Sequence, residues 1–160
     1  MKLRQVSSND QKLLREMLYL ALWNPPEEGP RPRSVLDDPG IAKLVGEWGR
    51  PDDFGLIAMD SGEEVGGIWA RLDGYDGIDG YGCDYPMIGI AVLERFRGRG
   101  VGSILMKEFI DAVRPRVPGL RLGVHPKNAA AIGLYEKMGF VEYAIGKGDY
   151  PQMKLCFGKD

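Results

Sequence analysis

The chain has 160 residues, a length that suits one domain. Hydrophobic residues make up 44% and charged residues 28%, with a formal net charge of −2, which excludes wholesale disorder and the basic excess of a protein that coats nucleic acid. Two distant cysteines, Cys83 and Cys156, and a single histidine, His125, exclude a disulfide framework, a CxxC pair and a zinc site built on several histidines.

Lys2–Val6 reads as a first strand. Ser8 followed by Gln11 has capping-box spacing, ahead of Leu13, Leu14, Met17, Leu18 and Ala21 at helical intervals. Asn24-Pro25-Pro26 ends that helix, and the Pro- and acid-rich stretch to Pro39 predicts an irregular surface segment. Ile41, Leu44, Val45 and Trp48 predict a second short helix. Phe54–Met59 and Val65–Leu72 predict a hairpin about Asp60-Ser61-Gly62. The Gly-, Asp- and Tyr-rich run Asp73–Asp84 predicts a loop, and Met87–Val92 a buried strand.

Arg97–Ser103 opens a helix whose apolar face is Val101, Ile104, Leu105, Phe109, Ala112 and Val113, closed by Pro115 and Pro118. Leu120–Val124 is a strand. Asn128–Met138 is a helix stopped by Gly139, and Phe140–Ile145 and Gln152–Phe157 close the chain as strands. The order predicts a single α/β domain over residues 1–160, with a mixed central sheet flanked by helices. No apolar run approaches the roughly 20 residues of a membrane span, and the first residues carry no secretory h-region, so a cytoplasmic protein that binds neither membrane nor nucleic acid is expected.

The glycine-rich turn carries most of the chemistry. A helix start has unpaired N–H groups and the positive end of the helix dipole, and glycines let a phosphate approach the backbone. Arg95, Arg97 and Arg99 add charge around it. A tight strand–helix connection would use the same glycines. A P-loop would need GxxxxGK[ST], which is absent. A dinucleotide fingerprint would need its third glycine at position 103, where Ser103 stands, and an acid on the next strand, LRLGV, which has none. A nucleotide-binding oxidoreductase is therefore disfavoured.

The string Arg97-Gly98-Arg99-Gly100-Val101-Gly102, after a strand and opening a helix, resembles the Gln/Arg-x-x-Gly-x-Gly/Ala motif of the Gcn5-related N-acetyltransferase (GNAT) superfamily. A second match follows in Asn128, Ala131 and Leu134-Tyr135-Glu136-Lys137-Met138-Gly139-Phe140. The resemblance implies the GNAT fold with splayed strands at the coenzyme site, acetyl-coenzyme A as co-substrate, no metal, and transfer of the acetyl group to a primary amine by direct attack on the thioester. By that resemblance the amides of Gly98, Arg99, Gly100, Val101, Gly102 and Ser103, with Arg97, hold the diphosphate. The strand Ile90-Ala91-Val92 pairs with the pantetheine arm, and Asn128 touches it. Tyr135 is the general acid toward the departing thiolate.

Relatives often carry a glutamate where this strand begins Tyr85-Pro86-Met87; Asp84 is the nearest acid here and the candidate base, with a water chain as the other route. His125 is a further base or relay candidate. The acceptor side is expected to use Trp23, Glu27, Glu28, Trp48, Asp76, Asp79, Tyr81 and Tyr85, since acids and aromatics suit a cationic amine. The acceptor is a small-molecule or peptide amine. A homodimer through the closing strands is compatible with the sequence. The alternative function is a non-catalytic acyl-CoA-binding or sensor module of the same fold.

Overall fold

The computed structural model describes residues 1–73 and 81–158. Among these residues seven strands and four helices alternate with short 3₁₀ turns: β1 (Lys2–Gln5), α1 (Gln11–Ala21), the one-turn α2 (Pro39–Ala42), β2 (Asp53–Asp60), β3 (Glu63–Arg71), β4 (Ile88–Val92), α3 (Val101–Val113), β5 (Gly119–Gly123), α4 (Ala129–Lys137), β6 (Val141–Ile145) and β7 (Pro151–Cys156). The order agrees with the sequence reading. Two local expectations shift. The capping box is Ser7 with Asp10, not Ser8 with Gln11, because a 3₁₀ turn at Ser8–Asp10 precedes α1. The second helix is a single turn that starts at Pro39, with Asp38 as its N-cap, and Leu44–Trp48 lie beyond it.

The strands form two antiparallel sheets, β1–β2–β3–β4 and β5–β7–β6. They meet through one parallel bridge, Met87 to Arg121, where the Arg121 N–H donates to Pro86 O at 3.0 Å and Arg121 Nε to Tyr85 O at 2.7 Å. Beyond that bridge β4 and β5 part. The mixed sheet is therefore a pair of half-sheets hinged at the start of β4 and open at its end.

One face of the first sheet, with Ala58, Val65, Ile68, Ala70 and Ile88, packs on α3 through Leu105, Met106 and Phe109. The other face, with Ile57, Trp69 and Ala91, packs on α1 and the segment after α2 through Leu14, Met17, Leu18, Val45 and Trp48. The sheet is thus covered on both sides, and the gap between β4 and β5 is bounded by α1 on one face and by α3 and α4 on the other. A buried ion pair ends the hairpin: Arg71 Nε lies 3.5 Å from Asp53 Oδ1, Asp53 Oδ2 accepts from the N–H groups of Gly49 and Arg50 at 3.0 Å, and the Arg71 guanidinium donates to Gly46 O. Breaking such a pair by removing one partner costs about 3–5 kcal/mol.

Candidate active site

The gap holds a cleft of about 700 Å³. Its floor is the open edge of β4. Leu93 N–H donates to Val65 O on β3, so the odd-numbered residues of this strand pair with β3. By the alternation of an extended chain, Ile90 and Val92 turn their peptide groups to the opposite edge, into the cleft. Val92 O accepts from Arg97 Nε at 3.1 Å, which fastens the basic link to the strand end.

The next wall is the turn into α3. Gly98 has φ +78° and Gly100 φ +83°, the left-handed region that glycine enters without strain. A Cβ at either position would meet no atom within 4 Å; at Gly102 it would lie 3.2 Å from Leu134 Cδ2. The first two glycines therefore shape the turn and keep it open, whereas the third lets α4 approach α3. Gly100 is the N-cap and contributes no side chain, so the first N–H groups of α3 have no side-chain cap. Val101, Gly102 and Ser103 line the cleft beside Gly98, Gly100 and Arg97. Arg99 sits outside, with its guanidinium 5.0 Å from the Phe96 ring.

The far wall is α4. Asn128 lines the cleft and caps this helix, its Oδ1 accepting from Ala131 N–H at 3.2 Å. Tyr135, about two turns later, is 8% exposed, with its ring 5.9 Å from that of Phe140. Burial pushes its phenol up to about 12. The hydroxyl makes no hydrogen bond to protein among the described residues. A second, inner chamber of about 140 Å³ lies on the α1 side of β4, and Tyr135 is the only polar side chain among the described residues that lines both spaces.

The mouth of the cleft is aromatic. The His125 ring lies 5.2 Å from Trp23 and 5.0 Å from Tyr150. Tyr150 OH accepts from Arg31 Nη2 at 2.8 Å, and Arg31 Nε donates to Leu22 O at 3.0 Å. His125 Nδ1 accepts from Lys127 N–H at 3.0 Å, so a neutral imidazole here carries its proton on Nε2 and offers a donor, not a base, at that atom. Tyr150 and Arg31 are not singled out by sequence reasoning. They sit in separate loops, and only the closing turn before β7 brings them to the end of β5.

The expected acceptor side is redistributed. Of its residues, Trp23 lines the cleft. Glu27 is on the rim, 3.7 Å from Lys127 Nζ, and both are exposed. Glu28 and Tyr81 are exposed and line neither space. Trp48 is in the core beneath the Arg71 guanidinium, 5.5 Å from it, because α2 is too short to carry it outward. Tyr85 is at the closed end of the splay, where its ring fills the place of a side chain at Gly119; its hydrogen bond to Cys156 and partial burial push its phenol up to about 12. Asp84 is exposed and lines neither space. Asp76 and Asp79 lie outside the described residues. Among the described residues no carboxylate lines the cleft or the chamber, and the charged lining groups are arginines and a lysine.

The profile of the Acetyltransferase (GNAT) family matches residues 15–140. The chain belongs to the GNAT family. The match spans this GNAT protein from α1 to the end of α4, and so contains every wall of the cleft except Tyr150. A [Ribosomal protein bS18]-alanine N-acetyltransferase of Salmonella typhimurium is 44% identical over 66 residues, which is 41% of this chain and 45% of the relative. The aligned part of this GNAT protein thus spans less than half that relative's length. A mycothiol acetyltransferase of Paenarthrobacter aurescens is 28% identical over 123 residues, 74% of this chain and 35% of the relative. Among solved structures, the ribosomal-protein-S18-alanine N-acetyltransferase from Escherichia coli superposes with a TM-score of 0.68 at 20% identity, covering 99% of this chain and 95% of that one. The PaiA N-acetyltransferase from Thermoplasma acidophilum, in complex with coenzyme A, gives 0.68 at 15% identity over 98% and 99%. These likenesses give the GNAT fold.

Proposed function

We propose that this protein transfers an acetyl group from acetyl-coenzyme A to a primary amine. The carrying observation is that an uncapped helix N-terminus shaped by two left-handed glycines and the open edge of β4 face one cleft, with a buried phenol at its inner end. The open turn fits a diphosphate: backbone N–H groups at Gly98–Ser103 point their dipoles at an anion, and no Cβ occupies the approach at Gly98 or Gly100. The peptide groups of Ile90 and Val92 suit an amide-bearing arm laid along β4 as an added strand, and Asn128 faces the same arm. Bound acetyl-coenzyme A supplies an activated thioester.

The acceptor nitrogen forms a bond to the acyl carbon as the carbon–sulfur bond breaks, and the electron pair goes to sulfur. Tyr135 donates its O–H toward that sulfur. The proton lost by the amine leaves through water, since no described carboxylate lines the site; Asp84 would have to act through such a chain. A cleft N–H on β4 facing the acyl oxygen adds oxyanion-type stabilisation. The names of the bS18-alanine relatives make a peptide α-amine the first acceptor to test. Such an amine, with an ordinary pKa near 7.7–8.0, is neutral far more often at pH 7 than a lysine amine near 10.4, and so leans less on a base.

The lack of a described carboxylate in the lining favours the second reading, an acyl-CoA-binding module without turnover. Thermal-shift titration with acetyl-CoA, CoA, NAD and ATP tests the coenzyme. Stabilisation by NAD or ATP but not by the two coenzyme A forms would overturn the proposal. Thiol release across a panel of peptide and small-molecule amines then separates transferase from binding module.

A further inference from the structure

We propose that the inner chamber is an acyl-chain subsite, so that this protein takes thioester donors with hydrocarbon chains longer than acetyl. The inference rests on the transferase reading above, which puts the thioester sulfur beside Tyr135. Tyr135 and Ile90 line both the cleft and the chamber, so the chamber begins where the acyl group would emerge. Its apolar walls are Leu18, Leu44, Trp69, Met87 and Leu122, beside the polar groups of Arg71 and Tyr135, with the Trp69 indole filling the space where Gly89 lacks a side chain.

Size and charge point the same way. A volume of about 140 Å³ has room for a group about the size of benzene, which a cavity of roughly 150 Å³ takes. An acetyl methyl would leave most of it empty, whereas a butyryl tail would use it. Arg71 is the single charged side chain among the described lining residues, and its charge faces Asp53 within the wall while it donates to Gly46 O. That compensated pair suits a hydrocarbon chain better than a carboxylate. The acceptor has its own approach through the Trp23–His125–Tyr150 mouth, on the solvent side of Tyr135.

Calorimetric binding needs no acceptor and tests this directly with CoA, acetyl-CoA, butyryl-CoA, hexanoyl-CoA and succinyl-CoA. At about 0.8 kcal/mol per buried methylene, butyryl-CoA should bind about fifteenfold more tightly than acetyl-CoA. Leu44→Trp, which fills the chamber, should erase that gain while CoA itself still binds, which also reports that the variant is folded. Met87→Ala, which enlarges it, should move the best donor toward hexanoyl-CoA. Butyryl-CoA binding no better than acetyl-CoA, a gain that survives in Leu44→Trp, or succinyl-CoA outbinding butyryl-CoA would each overturn the proposal while leaving the coenzyme reading intact. Failure of CoA to bind at all would overturn that reading, and this inference with it.

Discussion

Tyr135→Phe isolates the proposed hydrogen-bond donor with little structural disturbance. The hydroxyl has no protein partner among the described residues, so its removal orphans no buried group, and stability should change by less than about 0.5 kcal/mol. The energetics then decide what the hydroxyl can do. Burial holds it at about 12, while an ordinary thiol has a pKa near 8.5. Complete transfer of the phenolic proton to a departing thiolate would run uphill by about 5 kcal/mol. On the proposed reading Tyr135 would therefore act as a hydrogen-bond donor to the charge growing on sulfur, with the final proton coming from solvent. Removal of one such donor costs about 10²–10³ in kcat, or about 3–4 kcal/mol. The assay is thiol release under saturating acetyl-CoA and amine, beside CoA binding by calorimetry and a melting curve. A hundredfold fall in kcat with unchanged CoA affinity and melting temperature is expected. The same reasoning predicts that activity shows no alkaline limb from this tyrosine below about pH 11. A Phe variant within threefold of wild-type turnover would refute the argument, and so would a loss confined to CoA affinity.

Gly100→Ala puts a side chain on a φ of +83°, so it should lose about 1 kcal/mol of stability and, by intruding on the cradle, weaken CoA binding at least tenfold in calorimetry. Gly133→Ala sits inside α4, where an added Cβ meets no atom within 4 Å; it should gain about 0.5–1 kcal/mol and raise the melting temperature without altering CoA binding. Acid unfolding should reveal Asp10, which its hydrogen bond from Arg4 holds at about 2 against a usual 3.8. That contribution is present above pH 4 and lost as pH falls through 2; in Asp10→Asn the loss of stability between pH 4 and 2 should shrink by about 1 kcal/mol, after allowance for the partly exposed Arg4 partner. At the other limit, Tyr135 is raised from 10 to about 12, so its contribution is whole below pH 10 and lost toward pH 12; Tyr135→Phe should flatten that alkaline decline in denaturant melts.

How much of this site the sequence encodes depends on whether the information is local. Gly98–Ser103 is a contiguous turn after a strand, and its φ angles, missing side chains and helix start are properties of six neighbouring residues; spacing alone therefore places it ahead of α3. Tyr135 is likewise fixed by its helix, with Ala131, Leu134 and Met138 against the core. The acceptor side has no such local code. Acids and aromatics of the long connections look alike in composition, but the hinge at Met87–Arg121 sorts them by position along the splay. Tyr85 falls at the closed end, Trp48 beneath the sheet, and Trp23 at the mouth. Arg31, His125 and Tyr150 meet there from segments separated by up to 119 positions, with Arg31 reaching Leu22 O and Tyr150 OH at once. The consequence is chemical as well as positional. Where composition suggested acids receiving a cation, the folded mouth presents N–H donors from Arg31 and His125 beside an ion-paired Lys127. A donor-rich rim suits the carbonyls that follow a peptide α-amine better than a polycation. Inhibition of transfer by a series of peptides should therefore weaken when the carbonyls next to the reacting amine are reduced, and a polyamine that competes as well as those peptides would contradict it.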